Sequence, residues 1–483
     1  MRTFMLILIF LSGKLLIAQS CDCPTTLSWL QSTFSENDAG FAYVMEQKGE
    51  KAYAAHNAAM EIKAQAAPTH QVCLPVLEEW LTYFRDGHIG IEWISQPEVE
   101  APQNEENKRA IKAKFKDWPQ RPVNRKSFEA ALAKNATPGY EGIWRSGVYL
   151  IAIQQDDDGY TGSILEADGV YWRPDQVKLR IDPKADSAVF YMKDHSPRFV
   201  SHPQLIGKNY LEIGFVQLER VAPKFDAEPE KALYIRAMDA TYPFVEYLDE
   251  RTAYLRIPSF NNFYRPFIDS LVAAEKPKLL QHPNLIIDLR GNGGGSDASY
   301  ASLSPLLYTH PIHTVGVEFL STKLNNQRML AFAENDEYNF TEEEKEWARE
   351  SYETLSAQLG KFVNLDESVY SVDTIDTVYT HPSDVAILIN EENGSTTEQF
   401  LLEARQSAKV KLYGSTTYGV LDISNMMNVN DPCENFTMYY SLSRSMRIPG
   451  LAIDGKGISP DFYMHRDIPN HEWIEFVRER MGE

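Results

Sequence analysis

The sequence predicts an α/β protein in which a helical subdomain and an antiparallel β-rich domain precede an α/β core. Three observations support this prediction. Apolar residues recur at every third or fourth position between Pro24 and Arg85, as in amphipathic helices. Short runs of alternating polar and apolar residues follow, from Gly139 to about Val221. From about Lys231 onward, strand-like runs alternate with helical stretches.

The composition is that of a folded, acidic protein. The 483 residues are 43% hydrophobic and 12% aromatic, which is ample for the cores of about three domains. The formal net charge is −21, and a chain this acidic is repelled by phosphate backbones. We therefore expect no nucleic-acid partner.

The N-terminus has the pattern of an export signal. A basic start is followed by an apolar stretch too short for a spanning helix, so residues 1–18 are expected to be a signal peptide. The mature chain would then be periplasmic or secreted. Cleavage before Cys21 would instead leave a lipid-anchored cysteine, but Ala18-Gln19-Ser20-Cys21 matches a lipobox poorly. No other run approaches the roughly 18 apolar residues of a membrane helix.

The chain has four cysteines, an even number that fits an oxidising compartment. We predict a bridge between Cys23 and Cys73, which would tie the mature N-terminus to a helix. Free thiols, or an anchor at Cys21, are the alternative.

Changes in pattern give the domain boundaries. The helical subdomain is expected at residues 19–94, a polar linker at 95–138 and the β-rich domain at 139–225. Asp156-Asp-Asp-Gly159 and Asp168-Gly169 are predicted hairpin turns of that domain. The domain either packs its own core, which is the more usual case, or binds an apolar ligand.

The α/β core is expected at residues 231–470, with a C-terminal helix at 471–483. Its predicted strands are residues 253–257, 285–289, 315–320, 385–389 and 410–413. A charged insertion at 321–372 contains Thr341-Glu-Glu-Glu344, a capping box that predicts a helix to about Leu359. This helix is either a lid beside the active site or a surface excursion.

One predicted strand runs directly into three glycines, in Asn284-Leu-Ile-Ile-Asp-Leu-Arg-Gly-Asn-Gly-Gly-Gly-Ser296. The apolar run suits a strand that is covered on both faces. The glycines can adopt positive φ and can expose backbone N–H groups at the strand's end. Such a turn can bind an oxyanion, although a plain strand-to-helix turn has the same composition.

A serine stands where a second strand gives way to a helix, in Asn390-Glu-Glu-Asn-Gly-Ser-Thr-Thr-Glu-Gln-Phe400. At a helix N-terminus, negative charge that develops on Ser395 would be favoured by the helix dipole. The N–H of Thr396 could join a glycine N–H in binding a carbonyl oxygen. The alternative is that Ser395 caps the helix and Glu398 completes a capping box.

Together these segments resemble peptidase family S41, which contains the tail-specific and C-terminal-processing proteases and their tricorn-like relatives. Three motifs of the family occur in its order: Asp288-Leu-Arg-Gly-Asn-Gly-Gly-Gly295, Ser395-Thr-Thr-Glu398 and Gly414-Ser-Thr-Thr-Tyr-Gly419. Ile257-Pro-Ser-Phe260 and Gly457-Ile-Ser-Pro-Asp461 are similar to segments near the two ends of the family's catalytic domain.

The resemblance covers residues 231–465 and implies a ClpP/crotonase-like core with Ser395 as nucleophile. The amides of Gly294 and Thr396 would form the oxyanion hole, with the register among the three glycines open by one residue. The resemblance also implies a supporting role for Glu398, the last residue of the serine motif.

The general base distinguishes the branches of the family. Processing proteases use a lysine after the third motif, but the residue here is Val420, which cannot accept a proton. The tricorn-like branch takes a histidine from the helical region, and Asp86-Gly-His-Ile-Gly90 resembles its D-x-H segment. His88 is therefore the implied base, since a neutral imidazole accepts protons near physiological pH. Otherwise it is a turn residue.

An acidic residue should orient the imidazole. Asp454 lies where the tricorn-like pattern places this residue, with Asp86 and Glu398 as competitors, and a surface turn at Asp454-Gly455 as the alternative.

These observations predict an exported serine endopeptidase that cleaves peptides or unfolded protein segments through an acyl-enzyme. We expect neither a cofactor nor a metal, because His310-Pro-Ile-His313 is too short for a zinc site. No convincing PDZ domain is present, which leaves tail specificity open. One alternative is a catalytically inactive S41-fold peptide-binding protein of the periplasm. The other is a carrier whose β-rich domain holds an apolar ligand.

Overall fold

A computed structural model describes residues 21–94, 105–134, 137–338, 340–366, 368–464 and 468–481. The predicted signal peptide lies outside these residues. Within the described ranges the α-helices are α1 (Cys23–Asn37), α2 (Phe41–Lys48), α3 (Glu50–Gln65), α4 (His70–Thr82), α5 (Glu105–Lys114), α6 (Arg125–Leu132), α7 (Pro229–Met238), α8 (Arg265–Leu279), α9 (Ser304–Leu307), α10 (Lys323–Glu334), α11 (Glu342–Ser356), α12 (Thr396–Ala404) and α13 (Trp473–Arg480). None of these helices is long and apolar enough to cross a membrane.

The strands of the same described residues are β1 (Gly90–Trp93), β2 (Gly142–Ser146), β3 (Tyr149–Gln155), β4 (Tyr160–Glu166), β5 (Val177–Asp182), β6 (Ser187–Tyr191), β7 (Pro197–Ser201), β8 (Gln204–Ile206), β9 (Tyr210–Ile213), β10 (Val216–Ala222), β11 (Phe244–Tyr247), β12 (Thr252–Arg256), β13 (Asn284–Asp288), β14 (Ile312–Val315), β15 (Val317–Leu320), β16 (Phe362–Asn364), β17 (Tyr370–Asp373), β18 (Asp384–Ile389), β19 (Val410–Gly414), β20 (Ile423–Asn430), β21 (Phe436–Ser445) and β22 (Phe462–Tyr463). The chain divides into two compact units. Of the described residues, unit 1 contains those within Met1–Ile94, Val315–Ser371 and Val420–Gly455, and unit 2 contains those within Ser95–Thr314, Val372–Gly419 and Lys456–Glu483.

Unit 1 combines the N-terminal helices with an antiparallel sheet. The strand order is β1-β21-β15-β16, and β20 also pairs with β21. Helices α1 and α4 bury Phe34 and Trp80 in one core with Phe436 and Tyr440 of β21. The run 315–320, which we expected as a strand of the α/β core, is divided: residues 317–320 form β15 of this antiparallel sheet, and Val315 ends β14, which pairs with β17. Its apolar pattern predicted a strand, but a pattern cannot say which sheet the strand joins.

Two disulfides lie in unit 1. Cys23 is bonded to Cys73, which confirms the predicted bridge, and Cys21 is bonded to Cys433. The second bridge occupies the sulfur that a lipid anchor at Cys21 would need.

Unit 1 also contains most of the charged insertion. Helix α11 begins after Thr341, whose side chain accepts from the Glu344 amide while the Glu344 carboxylate accepts from the Thr341 amide. The predicted capping box is therefore confirmed, and the helix ends at Ser356, three residues before the expected Leu359.

Unit 2 contains a six-stranded sheet in the order β11-β12-β13-β18-β19-β22. All pairs are parallel except that of β11 with β12 at the edge. Helices cover the sheet, and every residue of β12 and β13 is buried. The α/β class is thus confirmed. The parallel strands end at one edge of the sheet, which is where the sites of α/β proteins usually form.

The rest of unit 2 includes a nine-stranded antiparallel sheet in the order β7-β6-β5-β4-β3-β2-β10-β9-β8. Its core is closely packed around Trp144, Trp172 and Leu218. The predicted hairpin turn at 156–159 joins β3 to β4. The predicted hairpin turn at Asp168-Gly169 is wrong, because the Asp168 carboxylate accepts from the amides of Val170, Tyr171 and Trp172 and holds a longer loop between β4 and β5.

Candidate active site

The glycine turn of unit 2 begins at a buried ion cluster. Asp288, the last residue of β13, is fully buried and forms ion pairs with Arg290 at 2.6 Å and Arg256 at 3.6 Å. It also accepts a hydrogen bond from the Tyr254 hydroxyl at 2.8 Å. Burial raises the pKa of Asp288, but the two guanidinium groups outweigh it and hold that pKa below its usual range. The carboxylate is charged and fixes the start of the turn.

The side chains of two buried asparagines hold the glycine turn through hydrogen bonds. The Asn292 side-chain oxygen accepts from the Phe260 amide, the Gly294 amide and the Thr397 hydroxyl at 3.0–3.2 Å. The Asn393 side-chain amide donates to the carbonyls of Leu289 and Asn292. Neither asparagine is exposed, so each bond is made in a dry interior where losing it is costly. The network joins the loop after β13 to the loop after β18.

Gly294 brings the turn against the serine. Its φ is +105°, and a Cβ placed on it would lie 2.9 Å from both Ser395 Cβ and the Thr396 nitrogen. Any side chain would therefore collide with the nucleophile segment. Glycine is needed here both for its conformation and for close approach.

Ser395 stands between β18 and α12 in a strained conformation. Its φ of 56° and ψ of −127° are rare for a residue with a side chain, and its hydroxyl does not cap the helix. The capping box considered from the sequence is therefore absent at Ser395. Glu398 is instead fully buried and accepts from the Thr417 hydroxyl at 2.5 Å and the Gly419 amide at 2.7 Å. Backbone strain such as that of Ser395 is found most often at functional sites.

Unit 2 also contains the predicted oxyanion donors. Thr396 is the first residue of α12, so its amide has no acceptor within the helix. The Gly294 amide donates to Asn292 Oδ1 at 3.0 Å. Within the described residues, the amides of Gly293 and Gly295 donate to no protein group. The turn thus presents unused N–H groups beside Ser395.

Unit 1 contains the predicted base. His88 follows α4 with a φ of 55°, is half-buried, and places Nδ1 2.7 Å from the Ile423 carbonyl oxygen. Because a carbonyl can only accept, Nδ1 carries the proton and the basic lone pair of the neutral ring is on Nε2. Burial, with a smaller contribution from Arg85, lowers the pKa of His88 below its usual 6.5. The ring is therefore neutral at physiological pH.

A buried ion pair fixes the backbone around His88. Arg85 binds Asp38 through two hydrogen bonds of 2.8 and 2.6 Å. The same guanidinium donates to the carbonyls of Gly87 and His88. Ser441 Oγ also donates to the His88 carbonyl at 3.0 Å. These bonds hold the left-handed conformation that directs the ring toward Ile423.

Asp454, the predicted orienting acid, bonds the backbone next to this carbonyl. Its carboxylate accepts from the amides of Asp422 at 2.6 Å and Ile423 at 3.2 Å. The buried Asp422 carboxylate accepts in return from the amides of Ile453 and Asp454. The direct partner of His88 Nδ1 is thus a backbone carbonyl, and Asp454 positions the segment that supplies it. The competitor Asp86 is exposed.

Sequence reasoning assigned no role to several residues that shape these two regions: Asp38, Arg85, Asn292, Asn393, Asp422 and Ile423. Asn292 lies inside the recognised motif, and Asn393 precedes a glycine, so both gave a weak local signal. Asp38 and Asp422 gave none, because their partners are distant in sequence.

Comparison with known proteins identifies the core. Residues 251–464 match the profile of peptidase family S41. These residues form an S41 peptidase domain. The strands β12, β13, β18 and β19, the glycine turn and Ser395 all belong to the S41 domain, and the protein is a serine-type peptidase.

Solved structures agree with the fold of the S41 peptidases. Mature CPAF complexed with lactacystin is 14% identical, with a TM-score of 0.51 over 95% of this chain and 97% of that chain. A mutant of CPAF is 12% identical, with a TM-score of 0.50 over 95% of this chain and 96% of that chain. At this identity the likeness concerns the fold alone. A search of curated proteins found no match.

Proposed function

We propose that this S41 peptidase is an exported endopeptidase that cleaves peptides or unfolded protein segments through an acyl-enzyme. The single observation that carries the proposal is the conformation of Ser395. An acyl-transfer nucleophile requires a backbone that exposes its hydroxyl and a nearby turn that a carbonyl can approach. Ser395 has a left-handed backbone, its hydroxyl does not cap the helix, and it contacts a glycine turn that has no side chains.

In the proposed mechanism, Ser395 Oγ attacks the scissile carbonyl carbon while His88 Nε2 accepts the hydroxyl proton. The resulting imidazolium donates that proton to the amine as the C–N bond breaks, which leaves an acyl-enzyme. A water molecule, deprotonated by the same nitrogen, then hydrolyses the ester. The Nδ1–H bond to Ile423 supports this role because it fixes the tautomer with Nε2 basic.

Asp454 remains our proposed acidic member, acting as a positioning residue. Its bonds to the amides of Asp422 and Ile423 hold the backbone that accepts the His88 proton. A role of this kind requires no direct bond between Asp454 and the ring.

The Thr396 amide and one amide of the glycine turn would stabilise the oxyanion. Gly294 serves if the substrate oxygen replaces Asn292 Oδ1 as its acceptor. Gly293 or Gly295 serves if the Asn292 bond persists. Glu398 supports the hole by fixing the loop at Thr417 and Gly419.

Export is supported by the cysteines. The described residues contain no free cysteine, and both disulfides lie in the same unit. Such pairing is typical of the periplasm or the extracellular space, whereas cytosolic proteins keep their thiols reduced. We propose a periplasmic or secreted location, with no lipid on Cys21.

A serine-directed fluorophosphonate tests the proposal. The wild-type protein should be labelled, Ser395→Ala should not, and His88→Ala should be labelled far more slowly. Unlabelled but folded wild-type protein would instead favour a catalytically inactive peptide-binding protein.

A further inference from the structure

Four aromatic residues form a surface cluster in unit 2, which we call the aromatic patch: Tyr242, Phe263, Tyr264 and Phe267. Their rings touch one another with centroids 4.8–5.9 Å apart. Tyr242, Phe263 and Phe267 are nevertheless 49%, 57% and 43% exposed. Contiguous exposed apolar surface is where proteins commonly bind partners or ligands, which makes this group of rings a candidate binding surface.

The patch is not a displaced part of the core. Helix α8 turns Ile268, Val272 and Leu279 into the protein, while Phe267 of the same helix and Phe263, in the turn just before it, are exposed. The rings therefore face outward although the helix already has a buried face.

Sheet topology places the patch at the same edge as Ser395. Phe263, Tyr264 and Phe267 follow the carboxyl end of β12, and Ser395 follows that of β18. Tyr242 precedes β11, which starts beside that end of β12 because Phe244 pairs with Arg256. Only β13 separates β12 from β18.

Backbone bonds join the two sites. The Phe260 amide donates to the Gly294 carbonyl at 3.2 Å, and the Ser296 amide donates to the Phe260 carbonyl at 2.9 Å. The patch thus begins three residues after a segment that is bonded to the glycine turn, and the turn touches Ser395.

The spacing of strands gives the scale. Neighbouring strands lie about 5 Å apart, so β12 and β11 are about 10 and 14 Å from β18. An extended peptide advances about 3.3 Å per residue. For a peptide that runs across the carboxyl ends of the strands with its scissile carbonyl at Ser395, the patch therefore lies about three to four residues from the scissile bond.

We propose that the aromatic patch binds an aromatic or large aliphatic side chain of the substrate polypeptide, three to four residues from the scissile bond. The inference rests on the proposed function and gives it a specificity determinant. The patch presents aromatic ring faces, and the neighbouring Arg265 pairs with Asp269 of the same helix at 3.9 Å, so the side chain that the patch accepts is apolar. Burying such a side chain against several rings favours it over a small polar one by about 10- to 100-fold.

The test uses the full-length protein and a library of twelve-residue peptides in which one position carries either Phe or Ser. Cleavage sites are read by mass spectrometry, and kcat/KM is measured for matched Phe and Ser peptides. Wild-type protein should prefer Phe three to four residues from the cleaved bond by about 10-fold or more. The double variant Phe263→Ala/Phe267→Ala should lose this preference and cleave the Ser peptide at the wild-type rate.

The matched control is Phe199→Ala/Phe215→Ala, which removes two exposed phenylalanines, 80% and 60% exposed, from the β-rich sheet. It should leave the preference unchanged. The rate of fluorophosphonate labelling, which needs no extended substrate, should be the same in all three proteins.

The outcomes separate the two proposals. Normal labelling with the same Phe preference in wild type and the Phe263/Phe267 variant overturns the patch alone. The patch proposal is also overturned if ultracentrifugation shows a wild-type dimer that the Phe263/Phe267 variant cannot form, while kcat/KM is the same in both proteins. Absence of labelling in the wild type overturns the proposed function first, and the patch inference with it.

Discussion

The segment around Ser395 and the segment around His88 are built in different ways. Around Ser395 the geometry next to the nucleophile comes mainly from the backbone: a left-handed serine, glycines without room for a side chain, and neutral asparagines that bond to them. The charged Asp288, paired with two arginines, fixes only the start of the turn. Around His88 it comes from charged side chains, since Arg85 and Asp38 hold the turn. Asp422 and Asp454 hold the carbonyl segment.

Because the two segments are held by different interactions, they should differ in their sensitivity to pH and to changes of charge. Neutral hydrogen bonds and backbone strain do not titrate, and the two arginines hold the pKa of Asp288 below its usual range, so the nucleophile segment should keep its geometry from mildly acidic pH upward. The histidine segment depends on carboxylates and on a ring with a lowered pKa, and should respond to charge. Substitutions in the two regions should therefore have different signatures.

The largest effect is expected from the nucleophile itself. Ser395→Ala should reduce peptide cleavage by about 10⁶-fold, as removal of a triad serine does. Ser395→Gly should be equally inactive but more stable than the alanine variant by about 1 kcal/mol, because glycine accepts a φ of 56° without strain. Thermal unfolding checks this, and an alanine variant as stable as the glycine variant would show that the backbone is not strained.

Removal of the base should come next. His88→Ala should lower kcat by about 10⁴-fold or more, since no other group would accept the serine proton. His56→Ala is the matched control, because His56 is also partly buried and bonded to a carbonyl in unit 1. It should retain normal turnover. Near-normal activity of His88→Ala would disprove the assignment.

Backbone packing at the turn gives a smaller effect. Gly294→Ala should lower kcat by about 100-fold and destabilise the protein by about 2–4 kcal/mol, because its Cβ would collide with Ser395 and Thr396. At Gly293 the nearest atom to a new Cβ is 3.9 Å away, so Gly293→Ala should be nearly neutral in stability. Equal denaturation midpoints for both variants would contradict the close approach.

Charge near the base should shift the pH profile. Arg85 contributes to the lowered pKa of His88, so the double variant Arg85→Met/Asp38→Asn should move that pKa up toward 6.5. The acid limb of kcat/KM would then appear at higher pH. Arg85→Lys keeps the charge but cannot form both hydrogen bonds to the Asp38 carboxylate. It should therefore lower kcat about 10-fold and leave the pH of the acid limb nearly unchanged. Identical limbs in all three proteins would exclude the electrostatic contribution.

The smallest effect is expected at the acid. Asp454→Asn retains an oxygen acceptor for one of two backbone amides, so kcat should fall only about 10-fold. A loss as large as that of His88→Ala would instead indicate direct contact with the ring during catalysis.

The sequence alone determined the parts whose partners are near in the chain. Strands β13 and β18, the glycine turn, the capping box at Thr341 and the serine at the start of α12 all follow from local pattern and local chemistry. Each S41 motif is also a short segment whose residues are neighbours in the chain, so the motifs could be recognised and the peptidase family identified without a structure. The sequence also shows Val420 where the processing proteases have their lysine, which excludes a lysine base at that position.

Only the tertiary structure decided the features that depend on distant residues. It placed β15 in an antiparallel sheet, gave His88 the Ile423 carbonyl as its partner, and directed Glu398 to the loop at Thr417. Asp38 and Arg85 are separated by 47 positions, and His88 and Ile423 by 335. A hydrogen bond depends on distance and direction in space, and a sequence pattern specifies these only within a single element or turn.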